Sequence, residues 1–181
     1  MIITINGLPG SGKGTIGELL SDKLSSEFMS MGSIRRNFAK EHGMTLEQLN
    51  KQAETNPESD KLVDNYLVEL GKTRANLVID GRLAFYFIPQ SFKLFFTVSE
   101  AEGARRIHQA NRSEEKYSTI EKTIESLKER QASDVLRYGQ LYGVNPYDTK
   151  VNKYDLILDT TEARPQKIAN MLVKIVEKLA K

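Results

Sequence analysis

The first residues of the chain form an apolar run that leads directly into a glycine-rich turn. Residues 2–5 read Ile-Ile-Thr-Ile, residues 7–15 read Gly-Leu-Pro-Gly-Ser-Gly-Lys-Gly-Thr, and a helix-like stretch follows as far as Leu24. A buried strand, a tight loop and a helix in this order are typical of the first unit of a parallel α/β sheet. The pattern therefore indicates an α/β fold.

The composition of the turn predicts a phosphate-binding loop. Glycines allow successive backbone N–H groups to face an anion, Lys13 brings a positive charge to the β- and γ-phosphates, and the helix N-terminus adds its dipole. Gly14 stands where the strict motif has Ser or Thr, so the predicted Mg²⁺ ligand is the hydroxyl of Thr15. A turn that only joins a strand to a helix would not need a lysine between two glycines. We expect ATP to bind at Gly7, Pro9, Gly10, Ser11, Gly12, Lys13, Gly14 and Thr15.

Composition narrows the class of protein. A chain of 181 residues with 39% hydrophobic and 28% charged residues fits one soluble domain, and no apolar run approaches the ~20 residues of a membrane span. The lack of cysteine excludes disulfides and thiolate metal sites and fits the cytoplasm. A net charge of +2 is too small to indicate bulk nucleic-acid binding. With no export signal, long apolar edge strand or heptad seam in view, we expect a cytoplasmic monomer that binds small molecules rather than membranes or nucleic acid.

Alternating apolar runs and helical patterns predict a parallel sheet covered by helices. The predicted strands are Ile2–Asn6, Glu27–Met29, Asn76–Asp80, Phe92–Val98 and Tyr154–Asp159. In this single domain of residues 1–181 we expect a core, a helical flap and a short lid. The core comprises residues 1–30, 74–110 and 118–181, the flap comprises residues 31–73, and the lid comprises residues 111–117.

Several helix starts and stops are marked in the sequence. Thr45, Ser99 and Ser118 each precede Gln or Glu by three residues, which is the pattern of a capping box. The helix that begins at Ser118 is predicted to continue to about Tyr142, where Gly143 supplies the stop. The capping signals therefore predict where three of the helices begin.

Asp80-Gly81-Arg82 follows a predicted central strand. Parallel sheets bind ligands at the carboxyl ends of their strands, so we expect Arg82 to face the same crevice as Lys13. Asp80 is expected either to approach Mg²⁺ through water or to cap the turn. An ordinary turn is the alternative interpretation of this motif.

Further charged residues are spaced along predicted helices. Arg130, Asp134 and Arg137 stand at i, i+4 and i+7 and so share one helix face, where they would form a clamp for phosphate and ribose. A solvated helix with internal ion pairs would have the same spacing. Arg106 and Arg112 lie before and within the predicted lid, which we expect to close over a triphosphate and exclude water; the alternative is a charged surface helix.

With these residues assembled, the chain resembles the nucleoside monophosphate kinases, and within them the archaeal-type cytidylate kinases, over nearly its whole length. The resemblance rests on the phosphate-binding loop, on residues 30–36 (Ser-Met-Gly-Ser-Ile-Arg-Arg), on Asp-Gly-Arg at 80–82 and on Arg-x-x-x-Asp-x-x-Arg at 130–137. Adenylate kinases instead carry Asp-Gly-Phe-Pro-Arg after this strand. The resemblance implies a three-layer P-loop NTPase fold with a five-stranded parallel sheet in the order 2-3-1-4-5. It also implies that the protein uses ATP and Mg²⁺ to phosphorylate CMP or dCMP.

The same resemblance implies roles for individual residues. The catalytic residues would be Lys13, Arg106, Arg112 and Arg130. The flap carboxylate of Asp64 is a further candidate for base or ribose contact. Met31 departs from the family, which usually has Ser or Thr there, and a lost hydroxyl would relax selectivity for the base. The monophosphate would be bound by Ser30, Gly32, Arg36, Asp60, Arg82, Arg130, Asp134 and Arg137.

Three other functions fit parts of the pattern. The acceptor could be another nucleotide, such as AMP or UMP. A small-molecule hydroxyl could also be the acceptor, and Asp134 or Asp80 would then serve as general base. An ATP-binding assembly or RNA-processing factor could use the same loop without a small acceptor; Met31 favours this interpretation, whereas the intact arginine sets disfavour it.

Overall fold

A five-stranded parallel sheet forms the centre of the molecule. The computed structural model describes residues 1–110, 117–149 and 153–179. Strand pairing is parallel throughout the sheet, in the order β2-β3-β1-β4-β5. The predicted fold class and strand order are therefore confirmed. The strands are β1 (Ile2–Gly7), β2 (Glu27–Ser30), β3 (Leu77–Asp80), β4 (Phe92–Thr97) and β5 (Leu156–Asp159).

Helices cover both faces of the sheet and form the flap. Three helices, α2 to α4, lie between β2 and β3 in the chain, within the segment predicted as the flap. Among the residues that the structure describes, no helix is both long and apolar enough to cross a membrane. The helices are α1 (Lys13–Leu24), α2 (Met31–Glu41), α3 (Leu46–Ala53), α4 (Glu58–Thr73), α5 (Ala84–Phe87), α6 (Glu100–Gln109), α7 (Ile120–Tyr142) and α8 (Pro165–Leu179).

The two faces of the sheet carry separate apolar clusters, because successive side chains of a strand point to opposite faces. Ile3 and Ile5 pack with α1 and α8, whereas Ile2 packs with the flap. In the flap cluster, Met31 of α2 and Leu67 of α4 contact the sheet side chains. Burial of these side chains fixes the flap against this face of the sheet.

Two of the three predicted capping signals are confirmed. The Thr45 hydroxyl accepts a hydrogen bond from the N–H of Gln48 in a complete capping box, and the Ser99 hydroxyl caps α6. The third was wrong: the cap of α7 is Thr119, whose hydroxyl accepts from the N–H of Lys122 at 3.2 Å, rather than Ser118. Ser and Thr are both good caps, so adjacent candidates leave the first residue undecided in the sequence.

The short helix α5 was not predicted. Phe85 is buried in a cluster with Tyr138 of α7 and Val144, and the ring of Phe87 meets that of Tyr142 edge-on at 5.2 Å. A single turn of aromatic residues has no helical period to detect. Its role is to pack the chain after β3 against the end of α7, which brings the two arginine-bearing segments together.

Candidate active site

The phosphate-binding loop joins β1 to α1. Gly12 has a φ of +80°, which favours glycine, and it immediately precedes the first residue of α1, Lys13. The Lys13 Nζ atom donates to the carbonyl oxygens of Gly7 at 3.1 Å and Leu8 at 2.9 Å. The ammonium group therefore lies against the loop, at the N-terminal and positive end of the helix dipole.

Helix α6 packs directly against this loop. A Cβ atom at Gly10, where φ is +76°, would lie 2.3 Å from the carbonyl oxygen of Gly103, and one at Gly103 would lie 2.8 Å from the carbonyl oxygen of Pro9. Both glycines are therefore required for the backbone-to-backbone contact. Gly103 belongs to no motif, so no sequence pattern indicated its part in shaping the loop.

Arg106 extends from α6 and links two backbone segments at the phosphate-binding loop. It donates to the carbonyl oxygens of Gly10 at 3.3 Å, Thr160 at 2.8 Å and Thr161 at 2.9 Å, and it pairs with Glu102 at 2.7 Å. The structure thus places this predicted catalytic residue at the loop, where it joins the loop to the residues that follow β5. Arg112, the other predicted lid arginine, lies outside the described residues.

A cavity of about 710 Å³ opens between this loop, the flap and α7. Among the described residues, four of the predicted site residues lie outside its lining: Gly7, Ser11, Asp60 and Arg137. The cavity brings the other predicted residues together from separate parts of the chain. They are Pro9, Gly10, Gly12, Lys13, Gly14, Thr15, Ser30, Gly32, Arg36, Asp80, Arg82, Arg106, Arg130 and Asp134.

Arg82 and Asp134 form an ion pair at the boundary between the phosphate-binding loop and the flap. The Arg82 Nε atom donates to Asp134 Oδ2 at 2.8 Å, and its Nη1 atom donates to the carbonyl oxygen of Gly7 at 3.3 Å. Burial alone would raise the pKa of Asp134, but the guanidiniums of Arg82, Arg137 and Arg130 outweigh it and hold that pKa below its usual value. Asp134 is therefore a carboxylate that orients guanidiniums, and it is poorly suited to accept a proton.

A buried chain of charges continues from Asp134 into the flap. Arg137, which is 2% exposed, donates to Asp134 Oδ1 at 2.6 Å and to Asp60 of α4. Asp60 also accepts from Arg35 of α2, which donates in turn to Asn50 Oδ1 at 3.0 Å. Two of the eight residues predicted to bind the monophosphate, Asp60 and Arg137, thus lie behind the cavity wall and join the flap to α7.

The segment that begins α2 supplies polar groups to the cavity. Ser30 caps α2 by accepting from the N–H of Ser33, and its hydroxyl donates to Asp80 Oδ2 at 3.3 Å. Arg36 reaches the hydroxyl of Ser33 at 2.8 Å. Met31 is buried in the apolar cluster beneath the flap and also lines the cavity. The hydroxyls of Ser30 and Ser33 are therefore the hydrogen-bonding groups that flank Met31.

Comparison with known proteins identifies the family. Residues 3–141 match the sequence model of the family described as an AAA domain. A cytidylate kinase from Methanobrevibacter smithii is 35% identical to this chain, over 96% of each protein. The chain belongs to the archaeal-type cytidylate kinase family. It is thus a nucleotide kinase of the P-loop class, as the resemblance predicted.

A second cytidylate kinase agrees with this assignment, and two other proteins are similar to the chain in sequence or in fold. A cytidylate kinase from Methanocaldococcus jannaschii is 33% identical over 100% of both chains. An S-adenosylmethionine-dependent nucleotide dehydratase from Lacinutrix mariniflava is 33% identical over 97% of this chain, which spans 36% of that longer protein. A solved shikimate kinase from Bacteroides thetaiotaomicron superposes with a TM-score of 0.67 at 18% identity, over 98% of each chain, and shares the fold.

The structure of this family member adds cavity residues that the sequence did not single out. Arg35, Asn50 and Tyr138 line the cavity, and Asp64, a weaker candidate in the sequence, does so as well. Burial raises the pKa of Asp64 to about 6, although its carboxylate accepts a hydrogen bond from the Tyr142 hydroxyl at 2.7 Å. Of these four, only Asp64 and Arg35, which lies beside Arg36, had a signal in the sequence. The others are ordinary helix residues whose role depends on the tertiary packing.

Proposed function

We propose that the protein transfers the γ-phosphoryl group of ATP to CMP or dCMP, giving ADP and CDP or dCDP. An oxygen of the acceptor phosphate attacks the γ-phosphorus, and the bond from that phosphorus to the β,γ-bridging oxygen breaks. The observation that carries the proposal is Arg82: its guanidinium contacts both Gly7 of the phosphate-binding loop and Asp134 of α7, and it lines the shared cavity. An acceptor phosphate bound there lies beside the donor loop.

Positive charge around the cavity supports phosphoryl transfer as the reaction. Lys13 and Arg130 line the cavity and would stabilise the charge that spreads over the transferred group, as would Arg106 at the loop. Planar guanidiniums such as those of Arg36 and Arg82 suit the acceptor phosphate, because they donate two parallel hydrogen bonds. These roles follow from residue type and from position in the cavity.

The carboxylates favour a phosphate acceptor over a hydroxyl acceptor. Attack by a phosphate oxygen requires no proton removal, whereas a hydroxyl acceptor requires a general base. Asp134 accepts from Arg82, Arg137 and Tyr147, and its lowered pKa makes it a weak base. A second feature favours cytosine: the carboxylate of Asp64 lines the cavity, where it can accept from the 4-amino group of cytosine and would be repelled by the O4 atom of uracil.

The residues present also fit Mg²⁺. The Asp80 carboxylate lies close to the start of α1, since a Cβ atom at Gly14 would be 4.0 Å from its Oδ2 atom, and Thr15 lies next in the chain at the cavity. A hydroxyl and one carboxylate together with nucleotide phosphates are typical ligands of Mg²⁺ in kinases. We propose that Thr15 binds the ion and that Asp80 holds one of its waters. When bound, Mg²⁺ would neutralise charge on the β- and γ-phosphates.

A coupled assay of ADP release tests the proposal. ATP and Mg²⁺ are offered with CMP, dCMP, UMP, AMP or GMP, with cytidine and shikimate as hydroxyl acceptors and with no acceptor. We expect ADP release to depend on CMP or dCMP, because these carry both the phosphate and the 4-amino group. Equal rates with cytidine would instead establish a hydroxyl kinase. Slow hydrolysis that no acceptor changes would favour an ATP-binding assembly factor.

A further inference from the structure

The turn that follows α7 is tightly fixed by hydrogen bonds. The Asn145 side chain accepts from the N–H of Tyr147 at 2.9 Å. The carbonyl oxygen of Pro146 accepts from Asn6 Nδ2 at 2.6 Å and from the Tyr154 hydroxyl at 3.0 Å. A turn with three such contacts holds its side chains in one arrangement. None of this was apparent from the sequence, in which Asn145-Pro146 only marks a turn.

Asn6 connects this turn to the phosphate-binding loop. Its buried side chain accepts from the N–H of Gly7 at 2.7 Å through Oδ1, while its Nδ2 atom donates to Pro146 and to the Tyr154 hydroxyl, the latter at 2.7 Å. One amide group thus joins the first residue of the loop to the turn after α7. Because both ends of the amide are bonded, its orientation is fixed.

The side chain of Tyr147 points from the turn to Asp134 and Arg82. Its hydroxyl donates to Asp134 Oδ2 at 2.5 Å, the same oxygen that accepts from Arg82, and the Arg82 guanidinium carbon lies 5.4 Å from the centroid of its ring. Arg82 in turn donates to the carbonyl oxygen of Gly7. The contacts therefore form a closed ring that begins and ends at Gly7 and passes through Asn6, Pro146, Tyr147, Asp134 and Arg82.

We propose that Tyr147 is a positioning residue that holds Arg82 and Asp134 in a fixed relation to Gly7, so that the acceptor phosphate is bound in line with the donor phosphate. This inference rests on the proposed function, because it needs an acceptor that Arg82 binds. Two contacts carry it: the phenol donates to the carboxylate that orients Arg82, and the ring packs against the guanidinium. In-line transfer depends on such positioning, since the chemistry itself asks little more of the protein.

The state of the phenol agrees with this role. Burial raises the pKa of Tyr147 well above its usual value, so the hydroxyl keeps its proton and remains a donor to Asp134 at any pH at which the kinase would work. Arg82 attracts the phenolate and Asp134 repels it, and burial outweighs the attraction. The hydrogen bond is therefore independent of pH in the neutral range.

Tyr147→Phe tests the proposal, because it removes the hydroxyl and keeps the ring. We expect the KM for CMP to rise about tenfold, the usual effect of losing a hydrogen bond to a charged group, while the KM for ATP changes less than about twofold. The matched control is Tyr66→Phe, whose exposed hydroxyl contacts only a methionine sulfur among the described atoms. A double-mutant cycle with Asp134→Ala, which removes the oxygen that accepts from Tyr147, should show that Tyr147→Phe adds nothing once the carboxylate is gone.

A second measurement needs no substrate. In the ligand-free protein, the amide signal of Gly7 in a ¹H–¹⁵N spectrum should shift in Tyr147→Phe and stay in place in Tyr66→Phe. An unmoved Gly7 signal, or kinetic effects that multiply in the double mutant, would overturn the role of Tyr147. A wild-type protein inactive with every monophosphate would overturn the proposed function alone, and the Gly7 signal would then decide whether Tyr147 holds the ring together.

Discussion

Under the proposed function the cavity has a donor side, which would bind ATP, and an acceptor side, which would bind the monophosphate, and the two are built in different ways. The donor side, residues 7–15, is one continuous stretch in which backbone groups and glycines shape the loop and Lys13 supplies the charge. The acceptor side is formed by side chains from β3, the flap and α7, joined by the buried ion pairs of Asp60 and Asp134. The donor side is thus shaped by local backbone groups, and the acceptor side by contacts between segments that are far apart in the sequence.

This difference predicts that donor-side residues contribute mainly to catalysis, whereas acceptor-side residues contribute both to catalysis and to the stability of the fold. The Lys13 ammonium is only partly buried and lines the open cavity, so we expect its removal to cost the fold little. Removal of Asp60 costs far more, since it lies between Arg35 and Arg137, and loss of one member of a buried ion pair leaves the others desolvated. We infer that changes on the donor side alter rate, whereas changes on the acceptor side alter rate and folding together.

Lys13→Ala is expected to have the largest effect. Lys13 is proposed to stabilise the charge on the transferred phosphoryl group, so its loss should lower kcat by at least about 100-fold, and the unfolding midpoint should stay within about 1 °C. The measurement is ADP release in the presence of CMP, with thermal unfolding of the same samples. Lys23→Ala, at an exposed lysine of the same helix, is the control and should retain full activity. A stable fold with near-normal kcat would contradict the assignment of Lys13.

Among substitutions on the acceptor side, Asp60→Ala should lower the stability of the fold most. Two guanidiniums would remain buried beside an empty position, so the free energy of unfolding should fall by about 3 kcal/mol. Urea denaturation at neutral pH measures this loss, and Asp22→Ala at an exposed site of α1 provides the comparison. A loss below about 1 kcal/mol would mean that the ion pairs do not fasten the flap to α7.

The same contrast explains which features could be predicted from the sequence. The phosphate-binding loop and the positions of the strands follow from contiguous patterns, and the flap helices follow from local periodicity. The strand order came from the family resemblance that these patterns support. Asp60 was identified as a site residue through the family resemblance, and Arg137 also by its helix spacing, but their burial against each other depends on how α4 meets α7. Tyr147 and Gly103 had no signal at all, because their roles arise only where distant segments touch. Sequence patterns thus define the donor side better than the acceptor side.

Arg82 lies where the donor side and the acceptor side meet, and Arg82→Ala tests which of the two substrates it binds. Loss of a guanidinium that would bind the acceptor phosphate should raise the KM for CMP by about 10- to 100-fold, whereas the KM for ATP should change less than about threefold. Steady-state kinetics with each substrate varied in turn measure the ratio. Arg74→Ala, which loses an exposed pair with Glu27, should leave both values unchanged. Equal increases in both KM values would place Arg82 on the donor side instead.

Asp64→Asn is expected to have the smallest effect on activity, and it tests the one described acceptor-side carboxylate whose pKa is raised. Burial, with the nearby charge of Asp60, raises that pKa from 3.8 to about 6, while Tyr142, Arg35 and Arg137 oppose the shift. Between these values the folded protein binds a proton that the unfolded chain has released, so stability falls as pH rises through this window and stays low above it.

The amide that replaces the carboxyl group of Asp64 carries no charge, and its oxygen can still accept from Tyr142. Asp64→Asn should therefore be more stable than the wild type by up to about 3 kcal/mol at pH 7.5, and most of the difference should vanish near pH 4. Thermal unfolding of both proteins from pH 4 to 8 measures it, with CMP affinity followed in parallel. If Asp64 accepts from the cytosine amine, the variant gains stability and loses preference for CMP over UMP. A stability difference independent of pH would show that Asp64 is ionised throughout, and the raised pKa would be wrong.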